Sequence, residues 1–314
     1  MLAYVVRRLI AFVPTLFAVA LLVSLMIYLV PGNPAVMMLG VEATPQSITE
    51  LEDALGLNDP LIERLGAWFG RAVRGDFGRS YLLGQDVTEA ILTRLPVTLN
   101  LALGAMLVAL VVGIGAGTLA AIRQNGSIDW AVMLFALVGL SIPNFWLGLN
   151  LIFLGAVTLR WFPTGGYVAW SEDPSRFVLH LALPALTLGL SHAALIARMT
   201  RASMIDVLRV DYVRTARAKG LSEWVVVGKH AFRNALIPIV TVVGISTGVM
   251  IGGAVVIETV FGLPGVGRLI INAVQRRDYP IVQGGILFVT VAYLVVNLIV
   301  DLMYVWIHPQ IRYG

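Results

Sequence analysis

Cysteine is absent from the 314 residues, which excludes disulfides and thiolate metal sites. Histidine is nearly as scarce: His180, His192, His230 and His308 stand too far apart to form i, i+4 ligand pairs on a helix, so no metal site is legible. A phosphate-binding loop is missing too. The nearest match, Gly228-Lys229, is followed by His230 and has Glu223 where the first glycine belongs, so the chain is not expected to hydrolyse ATP. Charge is sparse, with 13% charged against 58% hydrophobic residues, a balance outside the soluble range. The net charge of +4 does not point to nucleic acid; where the basic residues fall matters more than their sum. Internal repeats and low-complexity stretches are also absent.

What is present is a series of long apolar runs. A helix needs roughly 20 apolar residues to cross ~30 Å of hydrocarbon, and six stretches meet this: Leu9 to Val30, Val97 to Ile122, Trp130 to Leu159, Val178 to Ala197, Ala235 to Ile257 and Ile281 to Ile307. Arg7 and Arg8 ahead of the first run resemble the start of a secretory signal. That run is too long, however, and it ends in Pro31-Gly32-Asn33-Pro34 rather than in a small-residue cleavage site, so an uncleaved first span is expected. Six spans place both termini on one side. Eight basic residues between Arg198 and Arg233 face only Asp206, Asp211 and Glu223, and this excess in a short loop assigns the loop and both termini to the cytoplasm.

The chain therefore divides into a first segment and span (1–30), an external subdomain (31–96), a five-helix core (97–307) and a cytoplasmic tail (308–314). In the external part, Ser47 and Thr49 precede Glu50, Glu52 and Asp53, a composition suited to a helix N-terminus. The cytoplasmic loop at 198–234 is more informative. Ile205, Leu208, Tyr212 and Ala216 recur at helical spacing and predict an amphipathic helix. Arg214, Arg217 and Lys219 suit its last turns, and Gly220 suits the left-handed position that ends it. Ser222 then caps a second helix with Glu223 in its first turn, and Leu221 and Val226 stand at the positions of a hydrophobic staple. On residue type alone this could equally be a basic loop resting on anionic lipid.

The runs DYVRTARAKG (211–220) and HAFRNALIP (230–238) resemble the coupling loop of permease subunits of ATP-binding-cassette importers, in the dipeptide and oligopeptide branch. Where the superfamily carries Glu-Ala-Ala before a glycine, this chain has Arg214, Thr215 and Ala216 before Gly220, so the third residue and the glycine conform. The Leu-Pro of the general motif is replaced by Phe232 and Arg233, with Pro238 five residues later. PGNPA at 31–35, RGDFGRS at 74–80, SIPNFWLG at 141–148, FGLPGVG at 261–267, RDYP at 277–280 and DLMY at 301–304 resemble that branch in the same order. The resemblance implies an all-α type I importer permease fold in a bacterial cytoplasmic membrane. It also implies a second permease, two cytoplasmic ATPase subunits that use ATP and Mg, and an external substrate-binding protein, with no cofactor on this chain beyond surrounding lipid. Arg214, Thr215, Ala216, Arg217, Ala218, Lys219, Gly220, Leu221 and Ser222 would form the ATPase-coupling element.

Gly244, Gly248 and Gly252 make two consecutive GxxxG steps in the fifth span, and Gly113 and Gly117 repeat the spacing in the second; both predict close helix packing. Polar residues at membrane depth are candidates for the pathway: Ser141, Asn144, Asn150, His192, Asn297 and Asp301. Each could instead make an interhelical hydrogen bond. Pro143 should break the third span beside Asn144, where transporters expose backbone to substrate. Glu258 could face the pore mouth, with solvent exposure the simpler expectation. FGLPGVG is expected to form a tight bend or a re-entrant segment. Glutathione or nickel transport within the family, and an ion-coupled carrier outside it, are the alternatives; the latter would need a relay of embedded carboxylates or histidines, and Asp301 and His192 alone make a poor one.

Overall fold

The structure, a computed structural model, describes residues 2–29 and 32–307; the expected tail at 308–314 and the end of the first span at Val30 lie outside them. Regular structure among the described residues is helical, and an isolated antiparallel bridge pairs Arg79 with Asp86. In chain order the helices are α1 (Leu2–Leu29), α2 (Pro34–Leu39), α3 (Pro45–Ala54), α4 (Leu61–Ala72), α5 (Val87–Leu92), α6 (Leu95–Ile122), α7 (Ser127–Ser141) and α8 (Asn144–Leu151). They continue with α9 (Pro174–Leu208), α10 (Asp211–Ala218), α11 (Glu223–Val225), α12 (Phe232–Val260), α13 (Val266–Arg276) and α14 (Tyr279–Ile307). Wider, π-helical turns extend α8 over Ile152–Thr158 and join α11 to α12 over Val226–Ala231.

Among the described residues, five helical stretches are long and apolar enough to cross a membrane: Val5–Ile27, Val87–Ile122, Pro174–Leu208, Glu223–Val260 and Tyr279–Leu302. The sixth expected span is a bent pair, Ser127–Ser141 and Asn144–Thr158, which turn by 106° about the break. Pro143 explains the position. It lacks an N–H and pushes Ile142 into extended backbone, ψ 127°, so α7 stops at Ser141. The fourth span runs well past the expected Ala197, to Leu208.

The chain forms two compact units, one of Met1–Val97 with Pro264–Leu294 and the other of Thr98–Leu263 with Val295–Gly314. The first unit has a buried cluster of Val23, Val87, Ile91, Val266, Ile270 and Ile281. Three motifs that are far apart in sequence meet in it. Asn33 of PGNPA caps α2 by accepting from Ala35 N at 2.9 Å, and Tyr279 of RDYP donates to Gly32 O at 3.5 Å. Asp278, 2% exposed, accepts hydrogen bonds from Ser80 Oγ of RGDFGRS and from the backbone N–H groups of Tyr81 (3.2 Å) and Leu82 (3.3 Å). A buried carboxylate satisfied this way clips the 79–86 loop onto the start of α14. Asp278→Ala leaves those donors without their acceptor, at a cost of about 2 kcal/mol. The expected outcome is faster cleavage within 79–86 under limited proteolysis, and an unchanged cleavage rate would show that the clip is dispensable.

The α3 N-terminus corrects one expectation. Thr44 is the N-cap, with Pro45 at the first helical position, and Ser47 is the third residue of a reciprocal capping box rather than the cap. A hydroxyl outside the helix followed by proline is the stronger start signal; Thr49 bonds Pro45 O within the helix.

In the second unit α9 is central and packs against α7, α8 and α12. Glycine sets the approach of α6 to α9: a Cβ at Gly113 would lie 2.8 Å from Ile196 Cβ, one at Gly117 2.7 Å from Thr200 Cβ, and one at Gly189 2.6 Å from Ala105 O. This places the GxxxG pair of the second span on a close interhelical contact.

Candidate coupling site and pathway residues

The segment after α9 departs from the single amphipathic helix expected over 205–216. Helix α9 ends at Leu208, the chain turns at Arg209–Val210, and α10 starts anew at Asp211. Ile205 and Leu208 therefore belong to the end of a membrane-crossing helix. The buried face of α10 is Val213 and Ala216, which pack with Val226 and with the partly buried Val207 and Leu208, while the ring of Tyr212 is 40% exposed. Periodicity cannot register a break whose two sides happen to stay in phase.

Gly220 has φ +78°, the left-handed conformation expected for it. Its N–H bonds Arg217 O at 2.9 Å and the next N–H, of Leu221, reaches back to Ala216 O at 3.4 Å, closing the end of α10. Arg217 spans the turn to Glu223 through Nη2 at 2.6 Å and Nε at 3.2 Å, and this pairing raises the Arg217 pKa above its ordinary value. Ser222 occupies the N-cap position of α11 but its side chain makes no capping bond. Of the two expected staple positions, Val226 is buried and Leu221 is 40% exposed. Tyr212 joins the two sequence runs that resemble the coupling signature, because its hydroxyl accepts from Asn234 Nδ2 at 2.7 Å.

The outer face of this knuckle combines cations with bare apolar surface. Arg214, Thr215, Ala218 and Lys219 are exposed. Beside them Trp224 is 86% exposed, with Leu221 and Val225. Trp224 was not among the expected coupling residues; its signal in the sequence is an aromatic residue within a basic loop. An exposed aromatic with neighbouring aliphatics and cations has the composition of a protein-binding face.

The candidate pathway residues separate. Ser141 is exposed and its hydroxyl returns to Leu137 O at 2.8 Å within α7. Asn144 opens α8 directly after the break and accepts from Ser191 Oγ of α9 at 2.5 Å; Asn150 bonds Trp146 O in its own helix. Glu258 is not solvent exposed. It is 0% exposed and accepts from Thr98 Oγ1 at 2.6 Å, because its helix position, not its closeness to a span end, decides which way it points. FGLPGVG forms the tight bend between α12 and α13, with Gly262 at φ +65°. Within the second unit, Phe261 O accepts from Gly166 N at 3.0 Å, and the Phe261 ring leaves 3.2 Å to a Cβ at Gly148 of SIPNFWLG. Of the tandem glycines, Gly244 faces Val300 of α14 and Gly248 is buried, whereas Gly252 is exposed with open space beyond it. The described residues contain no group of histidines and carboxylates able to hold a metal.

Comparison with known proteins places these features in a lineage. Residues 113–313 match the family described as binding-protein-dependent transport system inner membrane component, and residues 1–102 match the corresponding N-terminal family. A putative peptide transport system permease protein of Brucella abortus (strain 2308) is 43% identical over 100% of both chains. The dipeptide transport system permease protein DppB of Alkalihalophilus pseudofirmus is 42% identical, and the glutathione transport system permease protein GsiC of Escherichia coli (strain K12) is 44% identical, each also over 100% of both chains. Among solved structures, a chain of the MetNI methionine ABC transporter in an inward-facing conformation matches with TM-score 0.55 at 16% identity, covering 69% of this chain and 95% of that one.

Proposed function

The chain belongs to the family of binding-protein-dependent transport system inner membrane components, and on that premise we propose that it forms half of the translocation pathway of an ATP-driven importer of short peptides. The reading supplies a second permease, two cytoplasmic ATPases that carry the ATP and Mg, and an external binding protein, with both termini of this chain in the cytoplasm; the chain itself performs no catalysis. Full-length similarity to permeases named for peptides, dipeptides and glutathione supports a peptide-like substrate.

The observation that carries the docking role is the knuckle at 211–231. It is held to the end of α9 by Val213, Ala216 and Val226, and it presents Trp224, Leu221, Arg214 and Lys219 outward. A small rigid body of this kind, seated in a groove of the ATPase, passes its displacement to α9 and α12, which leave it on either side. Asn144, at the break beside α9, is the side chain proposed to meet substrate, and exposed Gly252 is the place proposed for close approach by the second permease.

Two substitutions test the docking. Proline at Gly220 demands φ near −65° where the chain has +78°, and Trp224→Ala removes an aromatic anchor whose loss at an interface costs about 2 kcal/mol or more. In reconstituted complex, both variants are expected to lower transport and transport-stimulated ATP hydrolysis together, by roughly thirtyfold. Unchanged rates in both would refute the assignment. The substrate is identified by supplying labelled dipeptides, longer peptides and glutathione to vesicles and asking which enters only with ATP and the external binding protein.

A further inference from the structure

Helix α13 buries Val266, Leu269, Ile270 and Ala273 on one face, which leaves Arg268, Asn272 and Arg276, each four residues after the last, along one flank. That flank forms a wall of a cavity of about 250 Å³ within the first unit, and Arg94, from the turn ahead of α6, stands in the wall with it. Leu82, Leu83 and Pro264 add apolar surface. The one acid in the wall, Asp278, is already engaged by Ser80 Oγ and by the N–H groups of Tyr81 and Leu82.

Hydrogen-bond donors remain in this wall. Asn272 and Arg276 are exposed and make no side-chain hydrogen bond or ion pair among the described residues. Arg94 gives Nη1 to Ala90 O at 2.8 Å and keeps the other N–H groups of its guanidinium; Arg268 already has a partner. The apolar part is held in place in advance. The Asp278 clip fixes the backbone of Tyr81 and Leu82, and Leu83 N donates to Ser80 Oγ at 2.9 Å, so little ordering entropy is lost when a ligand binds.

Size and composition narrow the ligand. Whole small ligands fill cavities of ~300–1,000 Å³, so this one suits an end group. Planar guanidinium forks with an amide beside them match a carboxylate, and the adjoining leucines and proline suit a side chain next to it. A docking face for another protein is expected to carry an aromatic anchor, and this wall has none. The chain reaches α13 after crossing from the knuckle through Glu223–Val260, and leaves it into Tyr279–Leu302. On the importer reading that puts the cavity on the external side, where substrate is delivered.

We propose that this cavity receives the C-terminal carboxylate of an incoming peptide. Arg276 and Arg94 take the carboxylate with Asn272 beside them, and the peptide's last side chain rests on Leu82, Leu83 and Pro264. The site rests on the importer reading and adds the substrate feature that the permease itself recognises, a free carboxylate end.

The test measures binding apart from transport. Saturation-transfer NMR on the full-length chain with its co-purified partners in detergent, without ATP or the external binding protein, compares trialanine with its C-terminal amide. Trialanine is expected to bind roughly tenfold more tightly than the amide. Arg276→Gln should weaken trialanine about fivefold and leave the amide unchanged, Arg276→Lys should recover part of the loss, and Arg94→Gln/Arg276→Gln should abolish the discrimination. Arg276 is an exposed side chain, so its variants fold. Equal or absent binding of the two peptides by wild type, or an unaltered ratio in Arg276→Gln, overturns the proposal. So does weaker association of the external binding protein with the Arg276→Gln complex in the absence of peptide, which would make the cavity part of a protein-docking face. The importer reading fails on a different readout, ATP-dependent uptake into vesicles.

Discussion

Asp129→Ala is expected to destabilise the second unit by about 3 kcal/mol and to leave little folded transporter in the membrane. Asp129 is 3% exposed and lies in the first turn of α7, where the helix dipole favours its charge. One carboxylate oxygen meets Arg201 Nε; the other takes Arg201 Nη2 at 2.6 Å and the N–H of Asn125 at 2.9 Å. The pair therefore fastens α7, together with the turn before it, to α9 two turns ahead of the knuckle. Removing one partner of such a pair costs ~3–5 kcal/mol, because the remaining charge stays desolvated. The lower figure applies because the Arg201 side chain keeps 23% of its surface exposed. Arg201→Ala in the same background should restore part of the loss by removing the stranded charge. Thermal unfolding of the detergent-solubilised protein measures both, and a single variant within ~0.5 kcal/mol of wild type would show that the pair does not hold these helices together.

Gly117→Leu is expected to be comparably damaging for a different reason. A Cβ at Gly117 already falls on Ala197 O and within 2.7 Å of Thr200 Cβ, so even alanine forces α6 away from α9. Overpacking of a close contact costs about 1–3 kcal/mol, and a leucine at a position with no room for a Cβ belongs at the upper end of that range. Gly115, one step around the same helix, meets nothing within 4 Å of a Cβ, so Gly115→Leu serves as the control and should be accepted with little change. Yield of monodisperse protein after gel filtration distinguishes them; equal yields of the two variants would rule out a glycine-dependent α6–α9 contact.

The sequence determined much of this by itself. Bilayer thickness and the cost of unpaired backbone in hydrocarbon leave an apolar stretch of this length little choice but helix, so the spans were legible from composition and run length. The break at Pro143 and the left-handed Gly220 were legible because each depends on the backbone chemistry of one residue. The order of the motifs carried the family.

Packing decided the rest. The separation of α10 from α9 at Val210 was invisible because Ile205 and Ala216 stay in phase across it, and the inward turn of Val213 in place of Tyr212 depends on Val226 arriving from beyond the turn. Glu258 looked like a residue at a water-facing end, and only the neighbouring Thr98 hydroxyl shows why it is buried. RGDFGRS and RDYP were anonymous words until Asp278 met Ser80 across 198 positions of chain. Pairings of this kind depend on which segments the fold brings side by side. Local periodicity and propensity report what a segment can become, and tertiary contact alone selects its partner.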